Sequence, residues 1–154
     1  MTRTRKGFTL VEILIVVIIL GILAAVVIPQ FTEASNDARQ SALASDLQTV
    51  RSQLELYKVQ HLEKYPDVDK DGIADTANFI ARLTGRTDAD TTLNAAGAFG
   101  PYLQKFPSNP WVSGAASADV SFGANSCPGD GTTGWYFETD AGKFSANDAA
   151  HKGM

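Results

Sequence analysis

The chain is poor in the residues on which disulfides, metal centres and active sites depend. Its 154 residues include one cysteine, Cys127, so no intramolecular disulfide can form. The two histidines, His61 and His151, have no neighbours at zinc-ligand spacing. There is no Ser/His/Asp arrangement and no pair of acids in an apolar setting, so we predict that the chain is not an enzyme. The formal net charge is −4 and no basic stripe is present, so no nucleic-acid partner is expected.

Polar residues are missing from a long stretch near the N-terminus. No residue from Ile13 to Ile28 is polar. The 21 residues from Phe8 to Ile28 would span ~31 Å as a helix, which is about one hydrocarbon core. One carboxylate, Glu12, lies near the start of this stretch. A charge in that position is costly in lipid, so it is a functional hypothesis by default.

A short basic segment precedes the apolar stretch, as in a secretory signal. Its cations are expected to stay on the cytoplasmic side, which places everything after Pro29 outside. Signal peptidase needs small residues at the first and third positions before its cut. The alanines near the end of the stretch have the bulky Ile22 and Leu23 at the third position, so cleavage there is disfavoured. The cations are Arg3, Arg5 and Lys6.

The other candidate cut lies before the apolar stretch, between Gly7 and Phe8. Gly7, the aromatic Phe8, Glu12 at the fifth place after the cut and Pro29 at the twenty-second are together similar to the prepilin signature. The chain thus resembles type IV pilins and the pseudopilins of type II secretion. This resemblance implies that a prepilin peptidase removes residues 1–7 and methylates the new amine of Phe8. An uncleaved signal-anchor of the same topology is the alternative.

The resemblance also implies how the chain functions. Members of this family polymerise into helical filaments of identical subunits on an inner-membrane assembly platform. A carboxylate in an apolar bundle needs a cation, and the cation at the depth of Glu12 is the Phe8 amine of another subunit. By resemblance, this pairing sets the register between subunits, and an interfacial glutamate with only a topological role is the alternative. The stretch from Gly21 to Pro29 is then helical in the membrane and extended in the filament.

We predict an α+β fold, in which a long N-terminal helix packs on a small head with a short antiparallel β-sheet. Half of this helix lies in the membrane and half is amphipathic. Pro66 is expected to end the helix, and Pro29 to kink it. The predicted divisions are a leader over residues 1–7, a membrane or filament-core helix over 8–29, and an amphipathic helix with its head over 30–154. One apolar stripe, with residues spaced by four and three, is formed by Leu43, Leu47, Val50, Leu54 and Tyr57.

The head is predicted to contain one further helix and three strands. The short helix covers Thr76–Leu83, with Phe79 directed inward. Residues 140–142 read as the turn of a late hairpin, and the tail from Asn147 to Met154 is expected to fray. The strand candidates are Val120–Gly123, Gly134–Thr139 and Lys143–Ala146.

An acidic segment after Pro66 has the spacing of a calcium loop. Carboxylates stand at positions one, three, five and nine of the segment, and a glycine stands at position six. Position twelve is Asn78, where an EF-hand has a bidentate Glu, so the segment is closer to thrombospondin type 3 repeats. We predict structural calcium here, and a solvated acidic turn is the alternative. The predicted ligands are Asp67, Asp69, Asp71, Asp75 and the carbonyl oxygen of Ile73.

The resemblance implies calcium in a different loop of the head, which corresponds to Ser121–Asp130. This loop and its flank contain few carboxylates here, namely Asp119 and Asp130. The sequence therefore indicates that the family site is absent, or that calcium has moved to the segment after Pro66.

The sequence is compatible with two functions. The first is a structural filament subunit, held in the inner membrane by a single pass before assembly and located in a periplasmic or extracellular filament afterwards. The second is a membrane-anchored binding domain or minor pilin, for DNA uptake or adhesion, that does not form the bulk filament. Within the first, the missing disulfide and the late hairpin favour a secretion pseudopilin. The Asp-rich segment and the loop Asp88–Gly100 would suit an exposed surface pilus.

Overall fold

The computed structural model describes residues 7–154. The leader predicted over residues 1–7 lies outside this part of the chain, except for Gly7. The predicted α+β class is confirmed. The elements are helix α1 (Leu10–Gln60), a 3₁₀ turn (Thr76–Asn78), helix α2 (Phe79–Thr84), a second 3₁₀ turn (Ala115–Ala118), and strands β1 (Val120–Gly123), β2 (Trp135–Glu138) and β3 (Lys143–Ala146).

The chain divides into two compact units, residues 1–38 and residues 39–154. The described part of the first unit is a non-helical segment over residues 7–9 followed by the first part of α1, and all of its side chains are exposed. This region is apolar and long enough to cross a membrane. Helix α1 includes both Gly21 and Pro29. The stretch is helical here, and both predicted states, helical in the membrane and extended in a filament, stay predictions.

The second unit, which we call the head, is built around the apolar stripe of α1. All five predicted stripe residues are buried. Phe79 of α2 is fully buried, as predicted, and Leu83 of the same helix is fully buried as well. The remaining core residues come from the segment after α2 and from the sheet: Leu103, Phe106, Trp135, Phe137, Phe144 and Ala146. The amphipathic pattern therefore predicted correctly which face of α1 packs against the core of the head.

The end of α1 differs from the prediction. The helix stops at Gln60, ahead of Pro66. Leu62 and Glu63 have positive φ angles of 56° and 63°, and the N–H of Glu63 donates to the carbonyl oxygen of Lys58 at 3.0 Å. This bond satisfies a carbonyl that the helix leaves open, as in a C-terminal capping turn. The backbone turn, and not the proline, ends the helix.

The sheet is mixed, so the predicted antiparallel sheet is only half right. Strands β2 and β3 pair antiparallel through the predicted hairpin, with Phe137 opposite Phe144. Strands β1 and β2 pair parallel, with Val120 opposite Trp135. Residues 124–134 separate these two strands and return the chain to the end of the sheet at which β1 begins, so that β2 runs in the same direction as β1. A connection of this length permits parallel pairing, which a tight turn does not.

The predicted fraying of the tail is wrong. Asn147 is fully buried and Asp148 is 9% exposed. Asp148 accepts a hydrogen bond from the side chain of Asn109 at 3.1 Å and lies 2.6 Å from His151 Nδ1. The carbonyl oxygen of Met154 accepts a hydrogen bond from Arg51 of α1. These long-range contacts hold the tail against the head and are invisible in its polar, glycine-containing sequence.

Candidate functional site

The first candidate site is the start of α1, where Thr9 and Glu12 form a capping box. The backbone N–H and the hydroxyl of Thr9 both donate to Glu12 Oε2, at 2.8 and 2.7 Å. In return, the N–H of Glu12 donates to the Thr9 hydroxyl at 3.3 Å. These bonds satisfy N–H groups that the first helical turn would otherwise leave open. The box was not predicted from the sequence, although the spacing Thr-x-x-Glu before an apolar run is its ordinary signature.

The capping box uses only one of the two oxygens of the Glu12 carboxylate. Both bonds from Thr9 go to Oε2, and no donor among residues 7–154 reaches Oε1. Glu12 is exposed, and together with Gly7, Phe8 and Thr9 it lines a surface hollow of about 310 Å³. A carboxylate with one oxygen held in place and one oxygen open is oriented to accept a cation.

The predicted cleavage bond lies directly beside this carboxylate. Gly7, Phe8 and Thr9 are not helical, and the Phe8 side chain is 85% exposed. The Phe8 nitrogen is an uncharged amide while Gly7 is attached, and cleavage would convert it into an amine. The structure therefore brings together Gly7, Phe8 and Glu12. Gly21 and Pro29 lie further along α1 and do not belong to the hollow.

The second candidate site is the predicted calcium loop, which closes on itself. The N–H of Asp69 donates to the carbonyl oxygen of Ile73 at 2.8 Å, and the N–H of Asp75 donates to that of Asp67 at 2.6 Å. Asp69 Oδ1 accepts the N–H groups of Asp71 and Ile73 at 2.9 and 2.8 Å. Two of the predicted ligands thus already serve as acceptors within the loop.

The two ends of the loop are directed at a different cation. Asp75 Oδ2 lies 2.7 Å from Nη2 of Arg82. Asp67 is 6% exposed, and its burial raises the pKa of its carboxyl, an effect that the nearby Arg82 partly offsets. Within the part of the chain that the structure describes, no three His, Cys, Asp or Glu side chains are grouped closely enough to hold a metal ion. In this arrangement the five predicted ligands do not fit a calcium ion, and calcium binding stays a prediction.

His61 is a packed core residue. It is fully buried and stacks on Tyr57 with 3.7 Å between ring centroids. His61 Nδ1 donates to the carbonyl oxygen of Tyr57 at 2.8 Å, and Nε2 lies 2.8 Å from the hydroxyl of Thr87. Burial lowers the pKa of His61 below its usual range, so the ring is neutral near pH 7. The arrangement stabilises the junction of α1 with the loop after α2.

Three polar residues that the sequence analysis did not single out prove to be central. Arg82 is 4% exposed, Asn109 is 1% exposed and Asn147 is fully buried. Each joins segments that are distant in sequence, as when Asn109 Nδ2 donates to the carbonyl oxygen of Gly134 at 2.8 Å. No periodicity or motif marks these residues, because their partners are assembled only by folding.

Comparison with known proteins gives consistent matches. A family model described as the prokaryotic N-terminal methylation motif matches residues 2–28. The type II secretion system core protein G of Pseudomonas aeruginosa is 34% identical over 109 residues, covering 71% of this chain and 70% of the relative. The proteins of the same name from Aeromonas hydrophila and Vibrio cholerae are each 30% identical over 109 residues, covering 71% of this chain and 69% and 67% of the relatives. No solved structure matches the chain significantly.

Proposed function

This chain belongs to the family of type II secretion system core protein G, and on that premise we propose that it is a structural subunit of a pseudopilus filament. The observation that carries the proposal is the start of α1. An exposed Gly7-Phe8 bond stands beside a carboxylate oxygen that no donor among residues 7–154 reaches, and the apolar first part of α1 that follows is exposed. No catalytic role is proposed for any residue.

We propose that processing precedes assembly. A prepilin peptidase removes residues 1–7 and the new Phe8 amine is methylated. The match of the N-terminal methylation motif to residues 2–28 supports this step. So does the non-helical backbone on both sides of the bond, since proteolysis takes place in extended and exposed chain.

Assembly then relies on two properties of the N-terminal unit. The apolar side chains along α1 from Leu10 to Ile28 are exposed and need lipid or other helices to cover them. The Phe8 amine of one subunit pairs with the open Glu12 oxygen of another in the resulting helix bundle. Because an uncompensated charge in an apolar bundle is strongly unfavourable, this pair selects one register between neighbours.

The exposed apolar part of α1 also implies where the subunit is located in the cell. Before assembly the subunit spans the inner membrane once, with the head outside, and an inner-membrane assembly platform transfers it into the filament. Membership of the core protein G family favours a pseudopilus over a surface pilus and a bulk subunit over a minor one. The chain then forms a homopolymer in the periplasm.

Mass spectrometry and filament isolation test the proposal. We expect the mature chain to begin with N-methylated Phe8. On overexpression, sheared surface filaments should contain this chain as their principal component. An N-terminus at another residue would contradict the processing step. A correctly processed chain present only in trace amounts in filaments would instead support the minor-subunit alternative.

A further inference from the structure

Arg82 is a buried arginine that holds three segments of the head together. Its guanidinium makes four hydrogen bonds. Nε donates to the carbonyl oxygen of Thr91 at 3.0 Å, and Nη1 donates to the carbonyl oxygens of Pro66 and Asp75 at 2.9 and 3.2 Å. Nη2 donates to the Asp75 carboxylate at 2.7 Å. The side chain thus links α2 to both ends of the acidic loop and to the loop that contains Thr91.

The acceptors around Arg82 have the chemistry of calcium ligands. They are three backbone carbonyl oxygens and one carboxylate oxygen, and a second carboxylate, that of Asp67, lies nearby. Calcium sites in proteins use this kind of set, with oxygens from carboxylates and carbonyls. Guanidinium can serve the same acceptors because it has a fixed positive charge and five N–H donors.

We propose that the guanidinium of Arg82 takes the place of a structural calcium ion in the head. It closes the segment from Asp67 to Asp75, which is the role that the sequence pattern assigns to calcium. A calcium ion bound beside it would bring two positive centres together and would need Asp75 to release Arg82. The head therefore reaches its folded state without calcium.

The C-terminal loop of the head is organised in a similar way. Asp130 Oδ1 accepts the N–H and the hydroxyl of Thr132 at 3.0 and 2.8 Å, and the Asn147 amide at 2.9 Å. The Asn147 carbonyl oxygen in turn accepts the N–H of Gly129 at 3.1 Å. Asn147 is fully buried, so its amide is a fixed part of this loop. Side-chain donors thus hold both loops in which calcium was considered.

Thermal melting of the full-length protein in detergent tests the proposal. Both tryptophans, Trp111 and Trp135, lie in the head, so their fluorescence reports its unfolding. Melting is recorded with EGTA and with 10 mM calcium chloride. A site with a dissociation constant of about 0.1 mM would raise the midpoint by roughly 10 °C under these conditions. We expect the wild-type midpoint to move by less than about 2 °C, because no such site forms.

Arg82→Gln is the informative variant. We expect its midpoint in EGTA to lie roughly 10 °C or more below that of the wild type, because carboxylates and carbonyls lose their charged donor. The vacated acceptors should then respond to the ion, so 10 mM calcium should raise the midpoint of this variant. Arg86→Gln is the matched control. Arg86 is an exposed residue of the loop after α2 and, among the described residues, donates to the carbonyl oxygen of Gly97 at 2.9 and 2.7 Å, so a smaller loss and no calcium response are expected.

Three results would overturn the proposal. Calcium could stabilise the wild type, which would support the calcium loop predicted from the sequence. Arg82→Gln could melt like the wild type. Finally, a destabilised Arg82→Gln that ignores calcium would make Arg82 an ordinary buried arginine. None of these outcomes depends on polymerisation, so the test is independent of the proposed filament function.

Discussion

Glu12→Gln separates the capping role that the structure gives to the Glu12 carboxylate from the pairing role that we propose for it. In the subunit this carboxylate caps α1 by accepting from Thr9 at 2.8 and 2.7 Å. In the filament we propose that it also neutralises the Phe8 amine of a neighbour. Glutamine keeps a side-chain oxygen at the capping position, and it belongs to the capping-box pattern, so the first role survives. The negative charge that the second role needs is lost.

Glu12→Gln should affect filament assembly much more than the stability of α1. Loss of one partner from a buried ion pair corresponds to a fall of at least about a hundredfold in an equilibrium constant. Each added subunit makes this contact, so the concentration needed for filament growth should rise by a similar factor. In the monomer, by contrast, Glu12→Gln keeps the cap, and the start of α1 should stay helical.

Thr9→Val is the matched variant. It removes the hydroxyl that donates to Glu12 and accepts the N–H of Glu12, while the backbone N–H of residue 9 and the carboxylate remain. Loss of an N-cap side chain weakens the start of a helix by about 1 kcal/mol. We expect more fraying of the first turn of α1 in Thr9→Val, with assembly retained to within about tenfold.

Two measurements distinguish the roles. Hydrogen exchange of the monomer in micelles reports the first turn of α1, and the yield of sheared filaments at matched expression reports assembly. We expect Glu12→Gln to lose filaments with normal exchange, and Thr9→Val to show faster exchange with filaments present. Wild-type filament yield from Glu12→Gln would refute the pairing. Equal loss of filaments in both variants would show that the cap alone is needed.

Three further predictions concern the head. Tyr57→Phe should raise its stability by about 1 kcal/mol in denaturant melts, because the buried Tyr57 hydroxyl has no hydrogen-bond partner among the described residues; a less stable variant would show that the hydroxyl is bonded. Since burial lowers the pKa of His61, the folded head binds fewer protons than the unfolded chain as the pH falls below about 6.5. The melting midpoint should therefore drop between pH 7.5 and 5.5 in the wild type and not in His61→Gln, and equal pH profiles would contradict this assignment. Phe79→Ala should destabilise the head by about 3–5 kcal/mol and Val59→Ala, at a 71% exposed position of α1, by less than about 0.5 kcal/mol; similar losses in both would place Phe79 outside the core.

Elements that depend on local or periodic chemistry were predicted well. The five stripe residues of α1 are all buried, because positions spaced by three and four fall on one face of any helix. Strands β1 and β3 have the predicted bounds, and β2 differs by one residue at each end. Gly142, with φ of 64°, closes the predicted hairpin, and a side chain there would overlap the ring of Tyr65. The capping box at Thr9 was equally local and could have been recognised.

Elements that depend on distant partners were not predictable. Alternating residues identify a strand but do not specify its neighbour, and so the parallel pairing of β1 with β2 was missed. The polar tail lacks any apolar signal, and it is ordered through contacts with residues far away, Asn109 and Arg51.

By itself, therefore, the sequence determined the features that depend only on neighbouring residues. These are the predicted cleavage site between Gly7 and Phe8, the apolar helix that follows, and the apolar stripe of α1 on which the head is built. Tertiary structure alone decided which residues lie against the loop from Asp67 to Asp75. Its spacing is that of a calcium site, but folding brings α2 against it and places Arg82 at 2.7 Å from Asp75. A carboxylate attracts any cation that lies close to it. The sequence pattern around Asp75 does not show that Arg82 is such a neighbour, because only folding brings the two residues together.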